Sequence, residues 1–317
     1  MKNFSSHCVT VTPFLSSARL LPYRISFDVT NDHELLGTYT WSQQAAAALY
    51  PLFHFLEICL RNAIDREATK RFGEFWWETI SYDEKNYGCE NFLDNIEKAK
   101  EKLEKNWRKK EVARLKLRSA RQLKTPCPTF SHNEIIAATD FSTWTFILSG
   151  GFSTKNRADR EKYLWPKSLG KVFKQYSLVN SNQNYVLQDI QNLINEIRDY
   201  RNRVFHHEPI WMKGTTHDLN SVRAIQTIRQ KINKMEDIVK LLGNDVHQCL
   251  QDTNIFKNVR RVCSVKELEM YQGKTKHPTF SQKQKRLLRK KLSYSKRYDE
   301  TVIIEYDESV FGLIHVV

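Results

Sequence analysis

The sequence predicts an all-α body that continues into a basic C-terminal extension and ends in a small β-hairpin. Three observations carry that expectation. Leu52, Phe55, Leu56, Cys59, Leu60, Ala63 and Ile64 fall at i, i+3, i+4, i+7, i+8, i+11 and i+12, the apolar stripe of an amphipathic helix. Val186, Ile190, Leu193, Ile194, Ile197 and Val204 repeat the pattern later in the chain. By contrast, residues 301–306 and 310–317 are β-rich runs on either side of Asp307-Glu308-Ser309, a hairpin signature. The helical domain is expected over 41–250, with a segment 1–40 packing on it and an extension 251–317 beyond it.

Taken in order, residues 8–12 read as a strand and 16–23 as a short helix. Ser42 is a ready N-cap for the first long helix, Pro51 is expected to kink or restart it, and Gly73 ends it. A second long helix covers about 90–121, with Phe92, Ile96, Ala99, Leu103 and Trp107 along one side. Pro126 and Pro128 mark a loop. Helical segments follow near 133–149, 158–176, 184–207 and 219–242, the last closed by Gly243 and Asn244.

Composition narrows the function. The chain has 317 residues, 40% hydrophobic and 12% aromatic, with Lys plus Arg at 50 against 36 acids, a net +14. This is enough apolar content for a folded core, and the basic balance points to a polyanion, nucleic acid before an anionic membrane. The charge is concentrated in two blocks. Residues 97–124 hold twelve Lys or Arg and four Glu, a net +8, and residues 251–300 hold fourteen Lys or Arg and five acids, a net +9. Cys8, Cys59, Cys89, Cys127, Cys249 and Cys263 form no C-x-x-C pair, so they read as reduced thiols and not as a zinc framework. The first residues are too polar for a signal peptide and no apolar run is long enough for a membrane span. The expected location is the cytoplasm, with no membrane partner.

The segment from Glu196 to Pro209 carries the chemistry. On a wheel of about 100° per residue, Arg201 lies about 40° from Ile197, Asn202 about 140° and His206 about 180°. Arg198, Asn202 and His206 form one polar ridge, and Pro209 is expected to end the helix at Glu208. His206 and His207 would then sit in the last turn, where the helix dipole favours a protonated ring and the neighbouring arginines oppose it. A His so placed moves protons near neutrality, and an adjacent Arg grips phosphate. Together they suit transfer of a phosphodiester to the neighbouring 2′-hydroxyl, which calls for no metal or cofactor. The competing account is a favourable charge arrangement at a helix end, with Arg201 snorkelling at the core edge.

At these residues the sequence resembles the HEPN superfamily, whose signature is Arg, often followed by Asn, with His a few positions on; here it is Arg201-Asn202-Arg203-Val204-Phe205-His206. More narrowly it resembles the Abi-like (abortive infection) family, whose motif ends Arg-Asn-Arg-x-x-His-His-Glu-Pro-Ile. Leu56-Glu57-Ile58-Cys59-Leu60-Arg61-Asn62-Ala63-Ile64 is similar to that family's Leu-Glu-x-x-x-Arg-Asn-x-Ile helix. Weaker matches are Ile136-Ala137 before Phe141 and Trp144, and Leu164-Trp165 with Leu169 and Phe173. Ser142 stands where the family favours Gly. The likeness spans roughly residues 15–245 and leaves 251–317 uncovered.

The resemblance implies a HEPN-type helical bundle that dimerises so that two Arg–His motifs face each other. It also implies metal-independent endoribonuclease action that leaves a 2′,3′-cyclic phosphate, in an antiphage or toxin setting. An inhibitory antitoxin or a phage trigger would be a further partner. By motif match, His206 would transfer protons, Arg201 would hold phosphate, Asn202 would position substrate or His206, and His207 ranks second. The wheel independently separates Arg201 from His206 by about 140°, which favours a site completed by a second chain. Glu57, Arg61 and Asp65 are spaced as an intrahelical ion-pair ladder, or Glu57 supports Arg201 or His206 instead. Arg198 and Arg61 are further supporting candidates. Lys283, Lys285, Arg286, Arg289, Lys290 and Lys291 are candidates for RNA contact, against a solvated helix. The tryptophans read as core or dimer packing. The competing function is a non-catalytic RNA-binding or scaffolding protein.

Overall fold

The computed structural model describes residues 11–180, 182, 185–212 and 220–274, isolated helical positions at 286, 288, 289, 293 and 297, and two strands in the last twenty residues. The described chain is mostly helical. Residues 11–15 are helical, so the strand expected at 8–12 is not present at its described end; residues 8–10 lie outside the described residues. Helix α1 spans Ser17–Ser26 and buries Leu20 and Tyr23.

Helix α2 runs unbroken over Asp32–Phe72. Its cap is Asn31, whose side chain accepts from the Glu34 amide, so Ser42 is not the start. Ser42 is instead buried inside the helix and accepts a hydrogen bond from the Tyr23 hydroxyl at 3.3 Å. Nor does Pro51 restart the helix. The carbonyl it leaves unbonded belongs to Ala47, and both residues are exposed, so that oxygen lies on the open side of the helix. Gly73 ends the helix at φ 88°, a conformation glycine adopts freely. The inner face of α2 is the row Ala45, Leu49, Leu52, Leu56, Leu60, Ile64 and Ala68, all fully buried.

Helix α3, Tyr87–Arg114, is shorter than expected. Phe92, Ile96 and Ala99 are buried, but Leu103 and Trp107 are only half-buried. Its basic half therefore leaves the core and is braced by the local pairs Lys100–Glu97, Arg108–Glu104 and Arg114–Glu111. Helices α4 (His132–Ala138) and α5 (Phe141–Phe146) are separated by Asp140, which caps α5 by accepting from the Thr143 amide.

The helix expected at 158–176 is absent apart from a turn at 157–159 and α6, Leu169–Val172. Pro166 interrupts the spacing. The backbone there is satisfied from outside: the Arg71 guanidinium donates to the carbonyls of Arg160, Glu161, Tyr163 and Leu164 and to Ser168 Oγ at 2.8–3.2 Å.

Helix α7 covers Val186–Phe205 and α8 covers Ser221–Leu242. Gly243 ends α8, and Asn244 opens α9, Asn244–Asp252. Helices α10 (Ile255–Val262) and α11 (Val265–Tyr271) pack into the same core through Phe256, Val259, Val262 and Leu268. Trp41 Nε1 donates to the Val262 carbonyl at 2.9 Å and Gln272 Nε2 to Thr38 Oγ1 at 2.9 Å. A Cβ on Gly37 would stand 2.1 Å from the Tyr271 carbonyl oxygen, so only glycine lets α11 approach this closely. The packed body thus runs past residue 250, to about Gly273. Strands β1 (Val302–Tyr306) and β2 (Ser309–Leu313) pair antiparallel, with Val302 opposite Leu313. Six tryptophans, at 41, 76, 77, 144, 165 and 211, are buried in the core, and Trp107 is half-buried. Among the described residues, no helix is long and apolar enough to cross a membrane.

Candidate active site

The Arg–His segment forms at the C-terminal end of α7, and that end differs from the expected one. The helix stops at Phe205, three residues short of Glu208, and His206 is its C-cap. The His207 amide donates to the Val204 carbonyl at 3.2 Å and the Glu208 amide to the Arg203 carbonyl at 3.0 Å. This bond pair is a Schellman motif. It requires a left-handed residue after the cap, and His207 fills that position at φ 58°. Pro209 follows the motif, which is why counting back from it overestimates the helix. Arg203 closes over the turn with an ion pair to Glu208 at 3.3 Å. From α1, Arg19 Nη1 donates to the His207 carbonyl at 2.7 Å. Next along the chain, Trp211 is fully buried and donates to Ser26 Oγ at 2.8 Å. The turn is therefore clamped on both sides.

His206 and His207 are both exposed. Among the described residues neither ring makes a hydrogen bond or ion pair, and no direct bond joins His206 to Arg201.

Arg201 lies at the edge of the core, as the wheel predicts. Its guanidinium packs over the Phe205 ring, 4.5 Å from the centroid. Its Nε is buried without a hydrogen-bond partner. Nη1 reaches Asn202 Oδ1 only at 3.4 Å, and Nη2 lies 3.7 Å from Glu57 Oε2. The group is held by packing and charge, while its polar contacts are long. Glu57 faces it from α2. Burial pushes the Glu57 carboxyl up, and Arg201 and Arg61 pull it back incompletely; Asp140 adds a smaller upward push and His54 a smaller downward one.

The ladder Glu57–Arg61–Asp65 does not form. Glu57 turns to Arg201, Arg61 donates to Asn62 Oδ1 at 3.2 Å, and Asp65 accepts from Trp76 Nε1 at 2.8 Å and meets His132 Nε2 at 2.9 Å. For Glu57 and Asp65, tertiary partners outcompete the i,i+4 pairs, which are worth only a few tenths of a kcal/mol. Arg198 is engaged by Asp199 at 3.0 Å and by Thr145 Oγ1 at 3.2 Å, on a different neighbour from Arg201. Lys283, Lys285, Lys290 and Lys291 lie outside the described residues; Arg286 and Arg289 are exposed at helical positions.

Sequence reasoning missed Arg19, Phe205, Tyr50 and His54. Tyr50 is 53% exposed and lies 5.4 Å from the Phe205 ring, and His54 stacks on Tyr50 at 6.3 Å and 11°. The spacing of Tyr50, His54 and Glu57 on one helical face was the available signal. No family model, curated protein or solved structure matches the chain.

Proposed function

We propose that this protein is a metal-independent endoribonuclease of the HEPN type, working as a homodimer in an abortive-infection, antiphage or toxin role. The observation that carries the reading is Arg201: an arginine fixed against Phe205 and Glu57, whose outer nitrogens make only long contacts, five residues from an exposed His206 at a helix end. A phosphate would complete the guanidinium's hydrogen bonds with the bidentate geometry arginine favours. In the reaction, the 2′-oxygen of RNA attacks the adjacent phosphorus and the P–O5′ bond breaks. The 2′-hydroxyl loses a proton and the leaving 5′-oxygen gains one. His206 carries out one of these transfers and His206 of a second copy the other, while Arg201 stabilises the charge on phosphorus. Asn202 positions the substrate, and Glu57 holds Arg201 in place. The basic half of α3, with its surplus of Lys and Arg, supplies non-specific attraction for the polyanion.

The test is incubation of total RNA in EDTA with wild type and His206→Ala. Cleavage by wild type only, with 2′,3′-cyclic phosphate ends, is the expected result. Failure of wild type to cut any RNA would favour the scaffold reading, and a strictly monomeric protein with full activity would refute the composite site.

A further inference from the structure

A second cleft, of about 630 Å³, opens along α2 beyond the candidate active site, walled by α4, α6 and the junction of α8 with α9. Its size is that of a small-ligand site. Arg61, Arg66 and Lys174 line it, and among the described residues none of the three has a carboxylate ion-pair partner. Two acids, Asp65 and Asp245, also line it. Asp65 is already occupied. His132 Nδ1 accepts from the Phe75 amide at 3.0 Å, so the ring proton sits on Nε2 and is donated to Asp65, alongside the Trp76 indole N–H. Both ring nitrogens of buried His132 are thereby used, which makes it a structural group. Asp245 lies in the first turn of α9, where the helix dipole offsets its charge. With three cations against two carboxylates, the cleft carries a small net positive charge.

Its remaining surface has a different character. Ala63, Ala137 and Val246 offer accessible apolar surface, beside the buried Ile136, Val172 and Leu242, while Asn62 and Asn133 are exposed. Three cations, an apolar wall and two carboxamides in one cleft match a ligand with a phosphate, a flat apolar body and polar edges.

We propose that this cleft binds a nucleotide. The phosphate lies on Arg61, Arg66 and Lys174, the base lies against Ala63, Ala137 and Val246, and Asn62 and Asn133 contact the base or ribose edges. The same chemistry is offered by a free mononucleotide or by one residue of an RNA strand. Arg61 is one turn from Glu57 and pulls on its charge, so occupancy here touches the Arg201 pair electrostatically. Binding itself does not depend on RNA cleavage.

The experiment is calorimetric titration of the full chain with 5′-AMP, 5′-UMP, inorganic phosphate and a single-stranded RNA hexamer, using His206→Ala for the hexamer. Arg66→Ala and Lys174→Ala alter exposed side chains, and their folding is checked by thermal melts. At least tenfold weakening by each substitution is expected, with nucleotide tighter than inorganic phosphate. Nucleotide is also expected to protect Lys174 from acetylation in the unaltered protein. Binding of the hexamer alone, lost in both variants, supports the proposal with an RNA residue as ligand. Overturning results are no binding of any probe, unchanged affinity in both variants, or phosphate binding as tightly as nucleotide. Loss of RNA cleavage in His206→Ala with nucleotide binding intact separates this site from the proposed activity.

Discussion

Replacing His207 with glycine is expected to stabilise the protein. At φ 58° the histidine occupies the left-handed position of the Schellman turn, and an L-residue there costs about 1–2 kcal/mol. Glycine removes that strain but gives up about 0.5–1 kcal/mol through its larger entropy loss on folding, leaving a net gain of about 0.5–1 kcal/mol. The clamping bond from Arg19 survives, because it is accepted by the backbone carbonyl. The exposed ring has no hydrogen bond to lose. In a chain of this size the gain corresponds to about 1–3 °C in Tm and a higher urea midpoint at unchanged slope. His207→Ala serves as the control, since it deletes the ring but keeps the strain, and is expected to leave the midpoint unchanged. Destabilisation by glycine, or equal stabilisation by alanine, would refute the conformational argument. Under the proposed function, His207→Gly also retains RNA cleavage while His206→Ala does not.

Three further outcomes are expected. Burial raises the Glu57 carboxyl, so the native state binds its proton more tightly than the unfolded chain. Its stabilising contribution is full below the ordinary carboxylate range and declines as pH rises through the raised folded value. Glu57→Gln should therefore melt no lower than wild type at pH 7 and lose this pH dependence, while RNA cleavage falls by about tenfold or more through misplacement of Arg201. Glu236 behaves oppositely. Burial pushes its carboxyl up, but hydrogen bonds from His247 and Arg260 and the charges of Arg260 and Lys240 outweigh it and hold it below its ordinary value of 4.5. Its contribution is full above that value and is lost as pH falls through the folded one, and Glu236→Gln should flatten the acid limb of a stability–pH curve. Arg71→Lys should lower stability by about 1–3 kcal/mol in denaturant titrations, since an ammonium cannot reproduce the guanidinium fork that reaches five acceptors. Wild-type stability in that variant would mean the 160–168 loop is held by something else.

The helical character was legible because apolar residues recur at helical spacing, and Leu52, Leu56, Leu60 and Ile64 do face the core. The start of α2 was not, because Gly37, Thr38 and Thr40 are weak helix formers and Ser42 imitates a cap. The burial of Leu35 and Trp41 overrides that local preference. Residues 158–176 misled in the opposite direction. Leu164, Trp165, Leu169, Val172 and Phe173 have near-helical spacing, yet only Leu169–Val172 forms a helical turn, and Leu164 and Trp165 are buried from an irregular stretch braced by Arg71. Arg201, Asn202 and His206 could be singled out because one helix end carries all three. Arg19 could not, since nothing in local spacing says which distant helix meets that end. Glu57 faces Arg201 at 3.7 Å, while Arg61 turns to Asn62 and Asp65 to Trp76 and His132.

Helix α2 also sets a constraint on how this chain can vary. At 1.5 Å per residue its 41 residues form a rod about 60 Å long. One end meets α11 at Gly37, the middle carries Glu57, and the far end holds the 160–168 loop through Arg71. These engagements share a single angular phase. Inserting one residue between Leu49 and Phe53 would rotate everything downstream by about 100° relative to the first turns, turning Glu57 from Arg201 or Gly37 from Tyr271. A substitution along this rod disturbs the engagement it belongs to, whereas a change in its length breaks every engagement on one side together.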